Sequence, residues 1–363
     1  MRYLQPLFAI LLLLGSQAML TAADQPTVIR IGFASVGVGG RPFTSSTALS
    51  TAHARGLLEE EFKADGIRIE WLFHKGAGPA VNEAFAAGSL DFSSQGDFPS
   101  ILGRASGLKT RIILAGGVRS NTYLAVPTTS TATKLTDLLG KRITYHRGTN
   151  ATLGIAKILQ AQGLSDADFK TINLDSTAGL VALTNRDVDG MWGGATLFEQ
   201  QQRGVLRVID GTRGKDPRLT LQSGVLVSEA FASAHPDLVQ RVVNVLVQAA
   251  DWSSDEKNRT ELFALWAKSG LPAEVFAEEY NGSVLAVRQS PLLDDFFRIR
   301  YADGVKTSLE LKLIRNAFAI EPWIDASFLD TALARLHLTQ RWRSAAADGS
   351  FPESIPPAVT KAK

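Results

Sequence analysis

Two stretches of this chain are built alike, and together they constrain its fold more than any other feature. Gly88-Ser-Leu-Asp-Phe-Ser-Ser-Gln-Gly-Asp-Phe-Pro-Ser100 reads as a helix end, a short buried strand and a Gly-Asp corner that opens a new helix. Gly88 suits the left-handed residue that closes a helix, Gly96 permits close backbone approach, and Asp97 stands where an N-cap is wanted ahead of Phe98 and Pro99. Ala182-Leu-Thr-Asn-Arg-Asp-Val-Asp-Gly-Met-Trp-Gly-Gly194 repeats the plan, with Asp at the strand start and a Gly pair at the exit. In open α/β sheets, ligands bind beyond the carboxyl ends of strands, against helix N-termini. Each stretch alone is also ordinary helix-to-strand turn chemistry. In matching positions of two lobes, they point to a cleft with a ligand between.

The pattern around them alternates strand and helix. Strands are predicted over residues 28–35, 67–73, 90–93 and 111–115, separated by helices over 45–62, 79–88 and 98–106. That alternation means a parallel-rich sheet flanked by helices. Residues 121–127 read as a crossover into a second lobe of the same kind, and residues 222–228 as the return. The fold class is therefore α/β, two lobes joined by two crossovers that act as a hinge. The predicted division is a leader over 1–23, first lobe over 24–121, second lobe over 122–221, and the returning first lobe with C-terminal helices over 222–340. Those helices are expected over 236–252, 257–268, 272–280, 303–318 and 325–336. Residues 341–363, with Pro352, Pro356 and Pro357, read as a loose tail.

The N-terminus has the form of an export signal: Arg2, an apolar core over Leu7–Leu14, then small residues to Ala23. Cleavage after Ala22 or Ala23 is expected, with an uncleaved anchor as the alternative. The chain has no cysteine, which excludes disulfides, thiol catalysis, Cys-based metal centres and a lipid-modified N-terminal Cys. An exported chain without disulfides fits the periplasm. A net charge of +2 with no dense basic run gives no basis for nucleic-acid binding, and a monomer is expected.

Among chemical candidates, the corner at Gly148, Thr149 and Asn150 is the most attractive anion site. A strand delivers the backbone to a Gly, and Thr149 and Asn150 open a helix whose free N–H groups and dipole can face a negative charge; alternatively, both residues simply cap their helix. Asp97 either caps its helix or offers a carboxylate to a ligand. Trp192 either covers an apolar part of a ligand or packs in the core. Arg119 and Arg147 are possible counter-ions. No His-based metal set, nucleophile elbow, phosphate loop or dinucleotide fingerprint is present, so no cofactor, metal or catalytic residue is expected.

Lys75-Gly-Ala-Gly-Pro79, Asn82 to Phe92 and Gly96-Asp-Phe-Pro99 resemble the periplasmic binding proteins of ABC importers for aliphatic sulfonates, nitrate and taurine. Leu135 to Lys141, Gly148-Thr-Asn150 and Val188-Asp-Gly-Met-Trp192 continue the resemblance in order. It implies a type II binding protein that closes on a small organic anion, an aliphatic sulfonate first, and delivers it to a permease in the inner membrane. Nitrate, taurine, a sulfate ester, a carboxylate or a cofactor precursor are alternative ligands, and an enzyme of the same fold is the rival class. The resemblance places ligand contacts at Thr44, Ser45, Gly96, Asp97, Gly148, Thr149, Asn150, Asp189 and Trp192. Gly193-Gly194-Ala195 stands where relatives often carry an aromatic and an acidic residue, implying a roomier, less polar wall.

Overall fold

A computed structural model describes residues 25–352; the expected leader and the end of the expected tail lie outside them. The strands are β1 Val28–Phe33, β2 Arg68–Phe73, β3 Phe92–Gly96, β4 Thr110–Ala115, β5 Tyr123–Pro127, β6 Arg142–Tyr145, β7 Lys170–Asn173, β8 Gly190–Gly193, β9 Leu206–Gly211 and β10 Ser223–Ser228. They form two sheets of the same topology, β2-β1-β3-β10-β4 and β7-β6-β8-β5-β9. In each sheet the strand arriving from the other lobe, β10 or β5, runs antiparallel to both neighbours. The remaining strands are parallel, so their carboxyl ends share one edge.

The same ion pair fixes both sheets at the opposite edge. The Asp91 carboxylate, just before β3, accepts from the backbone and guanidinium of Arg30 at 2.8–3.1 Å. Asp189, just before β8, accepts from the backbone and guanidinium of Arg142 at 2.9–3.2 Å. The repeated Asp at the strand start is thus a register clamp between neighbouring parallel strands.

The two crossovers, residues 116–122 and 212–222, run side by side. Ser120 and Leu221 exchange backbone hydrogen bonds of 3.0 and 2.8 Å, and the Thr212 N–H donates to the Thr122 carbonyl. The long helix Pro236–Ser254 follows β8's lobe and the return strand. It buries Val239, Val242, Val243, Leu246, Val247 and Ala250 completely, at the spacing of one helix face.

Several elements depart from the expected pattern. The helix expected over 45–62 breaks at Gly56, whose φ of 67° is left-handed, into Ala48–Arg55 and Leu57–Phe62. The helix expected over 303–318 is Asp295–Glu310, started by Asp294, whose carboxylate accepts from the Phe297 N–H at 2.9 Å. Helices Arg259–Trp266 and Ala273–Glu279 do not sit with the first lobe alone. Phe263, Trp266 and Phe276 share a core with Tyr123, Met191 and Phe198 of the second lobe, while the Trp266 indole donates to Thr51 of the first. The segment from 341 is not loose as far as it is described: Trp342 and Ala345 are buried, and the Trp342 indole donates to Ser254 at 2.9 Å. The buried Trp342 ring and its hydrogen bond to Ser254 hold this segment against the first lobe. Among the described residues, no helix is long and apolar enough to cross a membrane.

Candidate functional site

Of the helices that begin at the edge where the parallel strands end, three bear on the contact between the lobes: Ala77–Ala86 after β2, Asp97–Ala105 after β3, and Asn150–Ala161 after β6. The first two belong to one lobe and the third to the other. The lobes touch there. A Cβ on Gly96 would lie 2.7 Å from the Asn150 Cβ, and one on Gly148 would lie 3.1 Å from Pro79 Cγ. Only glycine allows the first approach, and Gly148, at φ 81°, also has a left-handed backbone.

The N-cap residues of these helices are Gly76, Gly96 and Thr149, and none caps with a side chain. Thr149 spends its hydroxyl on the His146 carbonyl at 2.7 Å instead of accepting from the helix. By contrast, Thr47, Asp175 and Asp294 each accept from first-turn N–H groups of their helices. Gln95 joins the two first-lobe helices: its amide donates to the Gly78 carbonyl and to Asn82 at 3.3 and 2.8 Å, and Asn82 donates to the Pro99 carbonyl. The Gln95 Oε1 is buried without a partner among the described residues. The positive ends of three dipoles therefore converge from both lobes. The first-lobe turns have already used most of their donors: the Ala77 N–H on the His74 carbonyl, the Asp97 N–H on the Gln222 carbonyl and the Phe98 N–H on Asp97, with prolines at 79 and 99.

The other expected site residues are placed as follows. Asp97 is the first helical residue, with Gly96 as its N-cap, and is buried. Its Oδ1 accepts from the Phe98 N–H at 2.7 Å. Burial pushes its carboxyl up to about 6, against the opposing pulls of Lys157, the Phe98 N–H and Arg300. Lys157, on the second-lobe helix, is lowered by burial and raised by Asp97. These partners lie towards the C-terminal helix, and sequence reasoning missed Gln95, Lys157 and Arg300 alike. The one available signal was Lys157 falling among apolar positions of its helix.

Thr44 and Ser45 lie in the loop before helix Ala48–Arg55; Thr44 Oγ1 is 2.7 Å from Ser50 Oγ, and Ser50 Oγ donates to the Ser45 carbonyl. This loop packs on the first crossover, since a Cβ on Gly117 would lie 3.1 Å from the Ser46 carbonyl. Trp192 is 2% exposed and belongs to the second-lobe core with Leu124, Tyr145 and Ile155. It therefore packs as a core aromatic, with its Nε1 buried and unpartnered among the described residues. Asp189 is a correction. It lies at the amino-terminal end of β8, opposite the edge reached by Gly148–Asn150, and its carboxylate is taken by Arg142.

A groove of about 440 Å³ opens elsewhere, between Lys157 and Gln160, the second crossover and helix Asp295–Glu310. Most of its charges are matched within its own wall: Arg218 with Asp216, Arg300 with Asp303, Lys306 with Glu310. Such internal pairing leaves little net charge for a ligand.

Known proteins share this chain's sequence pattern and fold. Residues 44–258 match the family described as NMT1/THI5 like. A putative aliphatic sulfonates-binding protein of Bacillus subtilis is 29% identical over 58% of this chain; the match spans 63% of that relative's length. The crystal structure of a putative sulfonate ABC transporter protein, the periplasmic sulfonate-binding protein SsuA from Methylobacillus flagellatus, superposes with a TM-score of 0.76 at 30% identity, covering 88% of this chain and 98% of that one. The desulfurization enzyme DSZB shares the fold, with a TM-score of 0.64 at 20% identity, 85% of this chain and 99% of that one. On the extent of the profile match and the shared two-lobed architecture, this chain belongs to the NMT1/THI5-like family.

Proposed function

We propose that this chain is the periplasmic solute-binding component of an ABC importer, that it holds an aliphatic sulfonate between its lobes, and that it delivers this ligand to an inner-membrane permease. The observation that carries the proposal is the meeting of helix N-termini from both lobes, without side-chain caps, at the Gly96–Asn150 and Gly148–Pro79 contacts. A sulfonate is a tetrahedral head with three acceptor oxygens and a charge that persists at any physiological pH. Backbone N–H groups opening the Asn150 helix, with the dipole ends of both lobes behind them, can hold those oxygens without a side-chain cation. Gly96, Gly148, Thr149 and Asn150 are the proposed head-group contacts, with Thr44 and Ser45 on the neighbouring loop. The names of the relatives support the ligand class.

Closing the lobes brings the helix ends of both against the anion, so binding adds to a closed population that the ligand-free chain already has. A thermal-shift screen of the chain from Asp24 onward against alkanesulfonates, taurine, nitrate, sulfate esters and carboxylates tests this reading, because a ligand of the folded state raises the midpoint by mass action. A shift specific to alkanesulfonates is the expected result; shifts with carboxylates alone would overturn the ligand assignment. Binding without turnover is part of the proposal. The enzyme sharing this fold makes conversion the rival, and recovery of the bound sulfonate unchanged after prolonged incubation decides between them.

A further inference from the structure

The segment after helix Ser327–Arg335 was expected to be loose, yet residues 341–351 cross the hinge and touch both of its strands. It is pinned to the first lobe at one end: Arg341 pairs with Asp251, and the Trp342 indole donates to Ser254. It then joins the start of helix Asp295–Glu310. The Ala345 N–H donates to Asp294 Oδ2 at 2.9 Å, and the Phe296 N–H donates to the Ala345 carbonyl at 3.4 Å. A turn follows, in which the Gly349 N–H donates to the Ala346 carbonyl and the Ala346 N–H to the Ser350 carbonyl.

This turn meets the first crossover at Arg119. The guanidinium donates to the Gly349 carbonyl at 2.8 Å and lies between two rings, 4.5 Å from the Phe296 centroid and 4.9 Å from that of Phe351. Arg119 itself is held in the left-handed region at φ 55°, and its N–H donates to the Gln222 side chain of the second crossover. Gly349, at φ 87°, also meets the second crossover: a Cβ there would lie 2.8 Å from Pro217 Cγ and 2.9 Å from the Phe296 ring.

We infer that residues 341–351 form a hinge strap, which ties Arg119 and Pro217 to the first lobe and so favours the closed arrangement over the open one. Hinge motion works through the dihedral angles of a few crossover residues. Arg119 sits among them with an unfavourable backbone angle, held from both sides by aromatic rings and from its end by a carbonyl. Loosening the strap frees that angle and shifts the population towards open lobes, lowering apparent affinity by the fraction of closed molecules lost.

The test uses the full chain with Phe351→Ala, which removes one ring of the sandwich, and Gly349→Val, whose side chain has no room against Pro217. A chain ended after Pro352 keeps the strap and serves as the control. Small-angle scattering without any ligand is the primary measurement, so its outcome does not depend on the proposed function. Both variants should show a larger radius of gyration than the parent and the control, with cooperative melting retained. Should Gly349→Val fail to fold, Phe351→Ala carries the same comparison. Titration with butanesulfonate should show binding about fivefold weaker, roughly what one lost cation–π contact is worth. Ligand-free scattering identical to the parent would overturn the strap; weaker compaction without any sulfonate binding would uphold it and reject the ligand instead.

Discussion

Asp97 is buried beside the convergent helix N-termini, and replacing it with Asn should stabilise the protein near neutral pH. Its carboxyl is pushed from 3.8 up to about 6, burial being the largest cause. The folded state therefore holds this proton more tightly than the unfolded chain does. Stability contributed by the protonated group is full below the unfolded value and is lost as pH rises through about 6. A rise of roughly two pH units, at about 1.4 kcal/mol each, makes the ionised carboxylate cost about 3 kcal/mol above that range. Asn has the same shape, keeps an oxygen for the Phe98 N–H and carries no charge. Unfolding entropy for a chain of this size is about 0.7 kcal/mol per degree, so Asp97→Asn should raise Tm by up to about 4 °C at about pH 7.5 and leave it near the parent value at about pH 4. Calorimetry of both proteins across that range makes the comparison. A lower Tm for the variant at the higher pH would refute the reasoning, because it would mean that Lys157 and Arg300 repay the charge in full. Removal of a negative charge from the first turn should also leave sulfonate affinity equal or higher.

Other substitutions divide the proposed contacts from structural residues. Gly96→Ala places a methyl group against Asn150 and should hold the lobes apart, weakening sulfonate binding by about tenfold or more with little change in the first lobe's own melting; calorimetric titration reads this directly. Thr149→Ala combined with Asn150→Ala should lower affinity by more than the loss of one hydroxyl bond, about 1 kcal/mol of stability, explains. Asp189→Asn should leave affinity unchanged and reduce thermal stability, since Asp189 serves Arg142; a loss of binding in this variant would reinstate it as a ligand contact. Arg288→Ala should cost about 3 kcal/mol, because it leaves the buried Glu279 carboxylate with the neutral donors Tyr123 and Asn121 but without its ion-pair partner, and denaturant melting at constant pH measures it.

The lobes were legible because their signals are local. Gly88, Gly96 and Gly148 mark turns whose backbone needs glycine, and apolar alternation marks β1 and β4. The Asp before each strand was also visible, but its role was not. Nothing in Val188-Asp189-Gly190 says that the carboxylate turns back to Arg142, because that pairing is set by the parallel register of β8 on β6. Trp192 shows the same limit: its strand was recognised, while the face its ring takes depends on how helix Asn150–Ala161 packs over the sheet. The strap escaped notice because Trp342, Ala345 and Phe351 stand too far apart for any periodicity, and the prolines beyond them suggested a chain without a partner. Arg119 was a candidate counter-ion, and its own partners turned out to be two rings and a carbonyl.

The central claim is that an anion is held where helix N-termini of the two lobes meet, and a crystal structure grown with butanesulfonate tests it most directly. The account predicts the sulfonate oxygens within about 3 Å of backbone N–H groups in the first turn of Asn150–Ala161, facing the amino-terminal end of Asp97–Ala105, with the lobes closed around them. A sulfonate ordered in the groove lined by Lys157, Arg218 and Lys306, with the helix N-termini empty, would contradict it.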